Sequence, residues 1–212
     1  QLYSSIGLKD SANLAFDKVI ALKRKTPRVY TISAHLEKVK NFDFESGDKL
    51  ALETLLESLE SNRENRPFLD KIYHHIANYH IKDNKDSLAI TYYNKSLRTD
   101  SKDTHLTALN YQKLAELNFD YSEYSLAGSY YDSTLLNLKE KSKTFRVIKR
   151  KRDNLEEVIF YEAIAQETDS ILRLVKFSDD EKEIYFQAFI DNLKLEEEVN
   201  NNRATKRKSF SR

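Results

Sequence analysis

The chain has 212 residues, with 35 Lys and Arg against 34 Asp and Glu, and is 33% charged and 40% hydrophobic. A net charge of +1 gives no global basic surface for nucleic acid, and zero cysteines exclude disulfides, thiolate nucleophiles and cysteine-ligated metals. Three glycines and two prolines are too few turn-formers for a β-sandwich, and no apolar run approaches the roughly 18 residues of a spanning helix, which leaves periodic helices with short polar connections.

Taken in order, Gln1–Leu22 reads as an incomplete opening unit, a stub of a first helix followed by a helix carrying Ala12, Phe16, Val19 and Ile20. The chain starts at Gln1 without a methionine, and it reads as a piece of a larger protein. Thr26-Pro27 marks a boundary, because proline is tolerated where a helix begins and costly later. A stripe of Ile32, Leu36 and Val39 follows, then a longer turn over Asp43–Asp48 with Phe42 and Gly47, then a helix through Ala51, Leu55 and Leu59. Arg66-Pro67 is the next boundary. Beyond it a helix with Tyr73, Ile76, Ala77 and His80 ends near Lys82, and a polar turn at Asp83–Asp86 leads into Ala89, Tyr93 and Leu97. Asp103 or Thr104 can cap a helix with Tyr111, Leu114, Ala115 and Asn118, which is followed by one with Ala127, Tyr131 and Leu135.

The small residues Ala12, Ala51, Ala89 and Ala127 recur at spacings of 39, 38 and 38. Each has an apolar or aromatic partner four residues later, one turn along the same helix face: Phe16, Leu55, Tyr93 and Tyr131. A common period with a common internal pattern is the signature of stacked helical hairpins, and the tetratricopeptide repeat has a period of about 34 residues. The expected fold is therefore all-α, a tetratricopeptide-like solenoid of about four hairpins over 1–141, the first incomplete, wound as a right-handed superhelix. Ala12, Ala51, Ala89, Tyr93, Ala127 and Tyr131 are its expected packing residues. Of Tyr92-Tyr93 and Tyr130-Tyr131, one of each pair should pack between helices and its neighbour look outward. Gly128 falls inside a helix, where it costs about 1 kcal/mol against alanine, and only close packing suggests itself as a reason.

After Leu138 the pattern changes. Lys143–Gln166 reads as one long helix, Asp169–Val175 as a short one, and Ser178-Asp179-Asp180-Glu181 as a capping box opening a helix through Ile184, Phe186, Phe189, Ile190 and Leu193. Residues 142–200 are thus expected to form a degenerate last unit with a capping helix that shields the end of the array, and the basic stretch 201–212 is expected to be disordered.

Chemistry-bearing motifs are sparse. His74, His75 and His80 are separated by one, five and six residues, whereas two ligands on one helix face want three or four, so one packed and two surface histidines are expected and no metal. Nothing matches a phosphate loop, a dinucleotide fingerprint or a nucleophile elbow, so neither a cofactor nor a catalytic residue is expected. Lys139–Arg152 carries eight Lys and Arg with only Phe145 among them, which reads as a solvated helix face rather than a single-strand binding groove. First helices line the concave side of such arrays. Projecting two of them gives a candidate protein-binding set of His74, Asn78, Ile81, Lys82, Gln112, Glu116 and Phe119, with Ile81 and Phe119 as apolar anchors.

The segments FDKVIAL (Phe16–Leu22), YYDSTLLNL (Tyr130–Leu138) and above all RDNLEEVIFYEAIAQETDSILRLVKFSDDEKEIYFQAFI (Arg152–Ile190) resemble the tetratricopeptide-repeat lipoprotein of the Bacteroidetes type IX secretion and gliding-motility system, the PorW/SprE family. The resemblance implies a periplasmic protein held to the outer membrane by a lipid anchor lying outside this piece. It also implies a non-enzymatic scaffold linking the motor or ring complex to the outer-membrane translocon, whose proteins would be its partners. Two other readings remain open at this level: the repeat module of a cytoplasmic sensor or regulator, and an enzyme with a helical-repeat body.

Overall fold

The computed structural model describes residues 7–99 and 101–209, the side chains of Leu195 and Glu197 being the last ones defined. Nine α-helices follow one another among these residues. They are α1 (Lys9–Ala21), α2 (Arg28–Lys40), α3 (Lys49–Ser61), α4 (Leu69–Lys82), α5 (Asp86–Leu97), α6 (Thr104–Asp120), α7 (Tyr124–Leu136), α8 (Lys143–Lys176) and α9 (Asp179–Ser209). Short 3₁₀ turns at Lys23–Lys25 and Arg63–Phe68 link α1 to α2 and α3 to α4. The chain divides into two compact units, Gln1–Ile159 and Phe160–Arg212, so the first runs past residue 141 to include the opening half of α8. Among the described residues no helix is long and apolar enough to cross a membrane.

The first unit is built of paired helices: α1 lies against α2, α4 against α5, and α6 against α7. The last two pairs are equivalent in detail. Each first helix closes in the same way. The N–H groups of Asp83, Asn84 and Lys85 donate to the carbonyls of Tyr79, Ile81 and His80, and those of Tyr121, Ser122 and Glu123 donate to Leu117, Phe119 and Asn118. Asn84 (φ 57°) and Ser122 (φ 63°) occupy the left-handed region that such a helix ending requires. Ala77 and Ala115, like Ala89 and Ala127, are fully buried in the same register. A side chain larger than alanine at these four points would hold the paired backbones apart.

The tyrosines follow the same offset. Tyr93 and Tyr131 are buried, as expected. Their neighbours Tyr92 and Tyr130 do not look outward. They are half-buried, with ring centroids 6.0 Å from Tyr73 and 6.2 Å from Tyr111. Each thus fills the seam between a second helix and the first helix of its own pair.

The second expected unit departs from this register. Ala51 is exposed, and Leu52, Leu56 and Leu59 are the buried residues of α3. The cause lies in the connector. Helix α2 ends at Lys40, and Phe42 and Phe44 from the longer turn pack at 6.4 and 5.5 Å from the Tyr79 ring. These rings occupy space that a three-residue turn leaves open, and α3 presents its leucine face instead. Gly47 is needed there, since a Cβ would collide with the Asp43 carbonyl and the Phe42 ring. The resulting core of Ile32, Leu36, Val39, Leu52, Leu56, Leu59, Ile72, Ile76 and Tyr79 is continuous across α2, α3 and α4. Ala12 is buried on α1, and the stub expected before that helix lies largely outside the described residues.

At the other end, Ile148 and Leu155 of α8 are buried with Ala115, Ala127 and Tyr131. Gly128 has its packing reason here: an added Cβ would stand 2.6 Å from the Ile159 Cδ1 atom. Asp103 rather than Thr104 caps α6, accepting from the Leu106 N–H at 3.1 Å.

The second unit, described by itself, holds the end of α8 and α9. The two helices expected over 143–175 are a single helix of 34 residues, because no proline or glycine interrupts that stretch. The capping box forms: Ser178 N–H donates to Glu181 Oε2 at 2.8 Å, and Glu181 N–H to Ser178 Oγ at 3.3 Å. No described side chain in this unit is buried. Ile164, Ile171 and Val175 of α8, and Phe186, Phe189 and Leu193 of α9, are exposed. The tail expected to be disordered from 201 is helical through Ser209, again without a breaking residue, and the rest of it lies outside the described residues.

Candidate protein-docking groove

Four of the seven projected binding residues, His74, Asn78, Ile81 and Lys82, line one groove of about 580 Å³ walled by α2, α4 and α6. Its apolar floor includes Val39, Ile81, Leu106 and Leu109. Lysines reach it from all three helices, Lys40 from α2, Lys71 and Lys82 from α4 and Lys113 from α6, whereas Glu37 is the one carboxylate lining it among the described residues. Three of these lysines are loosely neutralised. Lys40 lies 3.9 Å from Glu37 and Lys71 lies 4.0 Å from Asp103. Lys82 donates to the Lys40 carbonyl at 3.3 Å and sits 5.9 Å from the Phe44 ring centroid. Lys113 alone is closely paired, 2.9 Å from Glu116.

Burial, with a smaller push from these lysines, keeps the groove's histidines uncharged. Burial, then His74, Lys40 and Lys82, pushes His75 down to about 4. His74 is also lowered, first by burial and further by Lys113, against a hydrogen bond to Asn110 that favours its charged form. Both rings are therefore neutral at pH 7. They stand edge to face at 5.5 Å, and both are half-buried, as is His80, in place of the expected one packed and two surface histidines. The reason is the close seating of α4, which has neighbours on most of its circumference. Among the described residues no three His, Cys, Asp or Glu converge as metal ligands.

A buried polar chain fixes the groove's inner wall. Ser96 Oγ–H donates to the Asp70 carbonyl at 2.7 Å, so its oxygen accepts from Asn110 Nδ2 at 2.8 Å. The Asn110 amide oxygen thereby faces His74 Nδ1 at 2.6 Å, which places the neutral ring's proton on Nδ1 and leaves Nε2 as an acceptor. Asn78 is committed to structure as well. It donates to the His74 carbonyl at 3.0 Å and accepts from the Tyr93 hydroxyl at 2.9 Å. Ile81 and Lys82 remain as the contact residues of the projected four.

The other three projected residues lie elsewhere. Glu116 and Phe119 line a second pocket of about 700 Å³ between α6, α7 and the first half of α8. Gln112 lines neither and donates to Glu116 Oε1 at 3.0 Å. The projection missed Lys40, Lys71, Lys113 and the leucines of α6. Treating Val39-Lys40 as the first-helix counterpart of Ile81-Lys82 would have found one lysine, since each pair closes its helix. Of the basic run, Lys149, Lys151 and Arg152 pair with Asp153, Glu116 and Asp132, and most of its side chains are exposed. No family model and no curated protein sequence matches the chain.

Proposed function

We propose that this chain is a tetratricopeptide-type docking array, a right-handed stack of hairpins that holds an extended acidic segment of a partner protein in the groove of α2, α4 and α6 and performs no chemistry on it. One observation carries this reading: four lysines from three helices ring an apolar floor with one carboxylate among them. Carboxylates of a partner would meet loosely paired ammonium groups, and its apolar side chains would cover Ile81 and Leu109. The equivalence of the two hairpins 38 residues apart supports the repeat assignment.

The sequence resemblance supports a biological place for the array: a periplasmic scaffold of the type IX secretion and gliding-motility system, lipid-anchored at the outer membrane, joining ring and translocon proteins. Purified ring and translocon components should bind the chain, and a doubly charge-reversed variant, Lys40→Glu with Lys82→Glu, should lose that binding. Undiminished binding by the variant moves the docking face away from the groove. Failure of every component to bind the wild-type chain removes the secretion assignment.

A further inference from the structure

The second pocket shares α6 with the basic groove, and its chemistry is the opposite. Tyr131, Leu155 and Val158 give it an apolar floor, and Phe119 and Tyr124 stand at its mouth with ring centroids 5.6 Å apart. Phe119 is 45% exposed, and it is the large aromatic face the pocket offers to solvent. Two carboxylates, Glu116 and Asp120, line the wall of α6. Glu116 is already engaged by Lys113 at 2.9 Å and by Lys151 at 3.4 Å, and Lys151 is the one cation lining the pocket among the described residues. Asp120 has no ion pair or hydrogen bond among the described residues. It is the last residue of α6, where the helix's outward carbonyls add partial negative charge. The field reaches the pocket floor, since the Tyr131 phenol is raised by burial and then by Glu116 and Asp120.

An unpaired carboxylate beside two aromatic rings is the environment that suits a guanidinium, which stacks on the ring faces and pairs with the carboxylate through its planar fork. We propose that this pocket is a second subsite of the docking array and takes an arginine side chain of the same partner segment. The proposal rests on the docking reading of the basic groove and adds charge order to it. From Lys113 to Asp120, α6 rises about 10 Å, and from Leu109 about 16 Å. An extended segment covers that in about three to five residues. The partner sequence is thus an acidic stretch with an arginine three to five residues away, and the Lys113–Glu116 pair marks the point where the preferred sign changes.

Two synthetic fluorescent peptides test this on the whole chain: four glutamates, a three-residue glycine–serine spacer and an arginine, and the same peptide ending in alanine. The arginine peptide should bind about tenfold tighter. Asp120→Asn should abolish that difference, read as the ratio of the two peptides' affinities within each protein, and Phe119→Ala should reduce it. Both positions are exposed, so the variants retain the fold. Equal binding of the two peptides to the wild-type chain overturns the arginine subsite and leaves the basic groove standing. Binding of neither overturns the groove reading and the subsite together.

Discussion

Replacing Asn110 by alanine probes the polar chain that ties α4, α5 and α6 together behind the groove. Asn110 is 1% exposed and makes hydrogen bonds of 2.6 Å to His74 and 2.8 Å to Ser96. Its loss leaves the His74 Nδ1–H without an acceptor, at about 1–3 kcal/mol. Ser96 keeps its bond to the Asp70 carbonyl and loses one accepted bond, about 0.5–1 kcal/mol. The void left by the amide adds about 1 kcal/mol. Asn110→Ala should therefore destabilise the first unit by about 2.5–5 kcal/mol. In thermal unfolding followed by circular dichroism, this is a fall in Tm of about 5–20 °C for a chain of this size. Thr91→Ala serves as control, since its hydroxyl bonds only to the Ser87 carbonyl on an exposed face, and it should stay within about 0.5 kcal/mol. Asn110→Asp should raise the His74 pKa, because a carboxylate in that place stabilises the imidazolium. An Asn110→Ala melting curve that overlays the wild type would show that the polar chain contributes nothing to stability, and an unchanged His74 titration in Asn110→Asp would show that Asn110 does not face the ring.

Two other outcomes follow from burial and charge. Ala89→Arg should cost about 3 kcal/mol or more, from overpacking and a buried charge, whereas Ala51→Arg should stay within about 0.5 kcal/mol; urea midpoints that fall together in both would contradict the register described for α3. His75 is held down to about 4 against about 6.5 unfolded, so between those values the unfolded chain binds more protons. Stability is then full above about pH 6.5 and is lost as pH falls toward 4. Allowing for the ring's partial exposure, the loss by pH 5 should be about 1–2 kcal/mol, and His75→Gln should remove it; an identical pH dependence in the variant would assign the effect to other groups.

Much of the fold was legible in the sequence, because a helix hairpin writes its contact as a small residue followed by a bulky one a turn later. That signal located α4 through α7 and the buried pairs Ala89 with Tyr93 and Ala127 with Tyr131. It misled at Ala51, where periodicity alone could not show that Phe42 and Phe44 would fold back onto Tyr79 and turn α3. It also could not join Asp169–Val175 to the preceding helix, since a run of polar residues separates two stripes without breaking the backbone. The candidate site was half legible. Helix projection found Ile81 and Lys82, but the rest of the lysine ring comes from three helices brought together by tertiary packing. No local pattern encodes that. The polar commitments of Asn78 and His74 were invisible for the same reason.

If the array docks a partner segment, that segment lies in the groove of α2, α4 and α6. Backbone amide spectra of the ¹⁵N-labelled chain, recorded during titration with a short all-glutamate peptide, test this most directly. Saturable shifts should concentrate at Lys40, Lys71, His75, Ile81, Lys82 and Lys113, and disappear in high salt. Shifts confined to α8 and α9, or a spectrum that does not move, would contradict it.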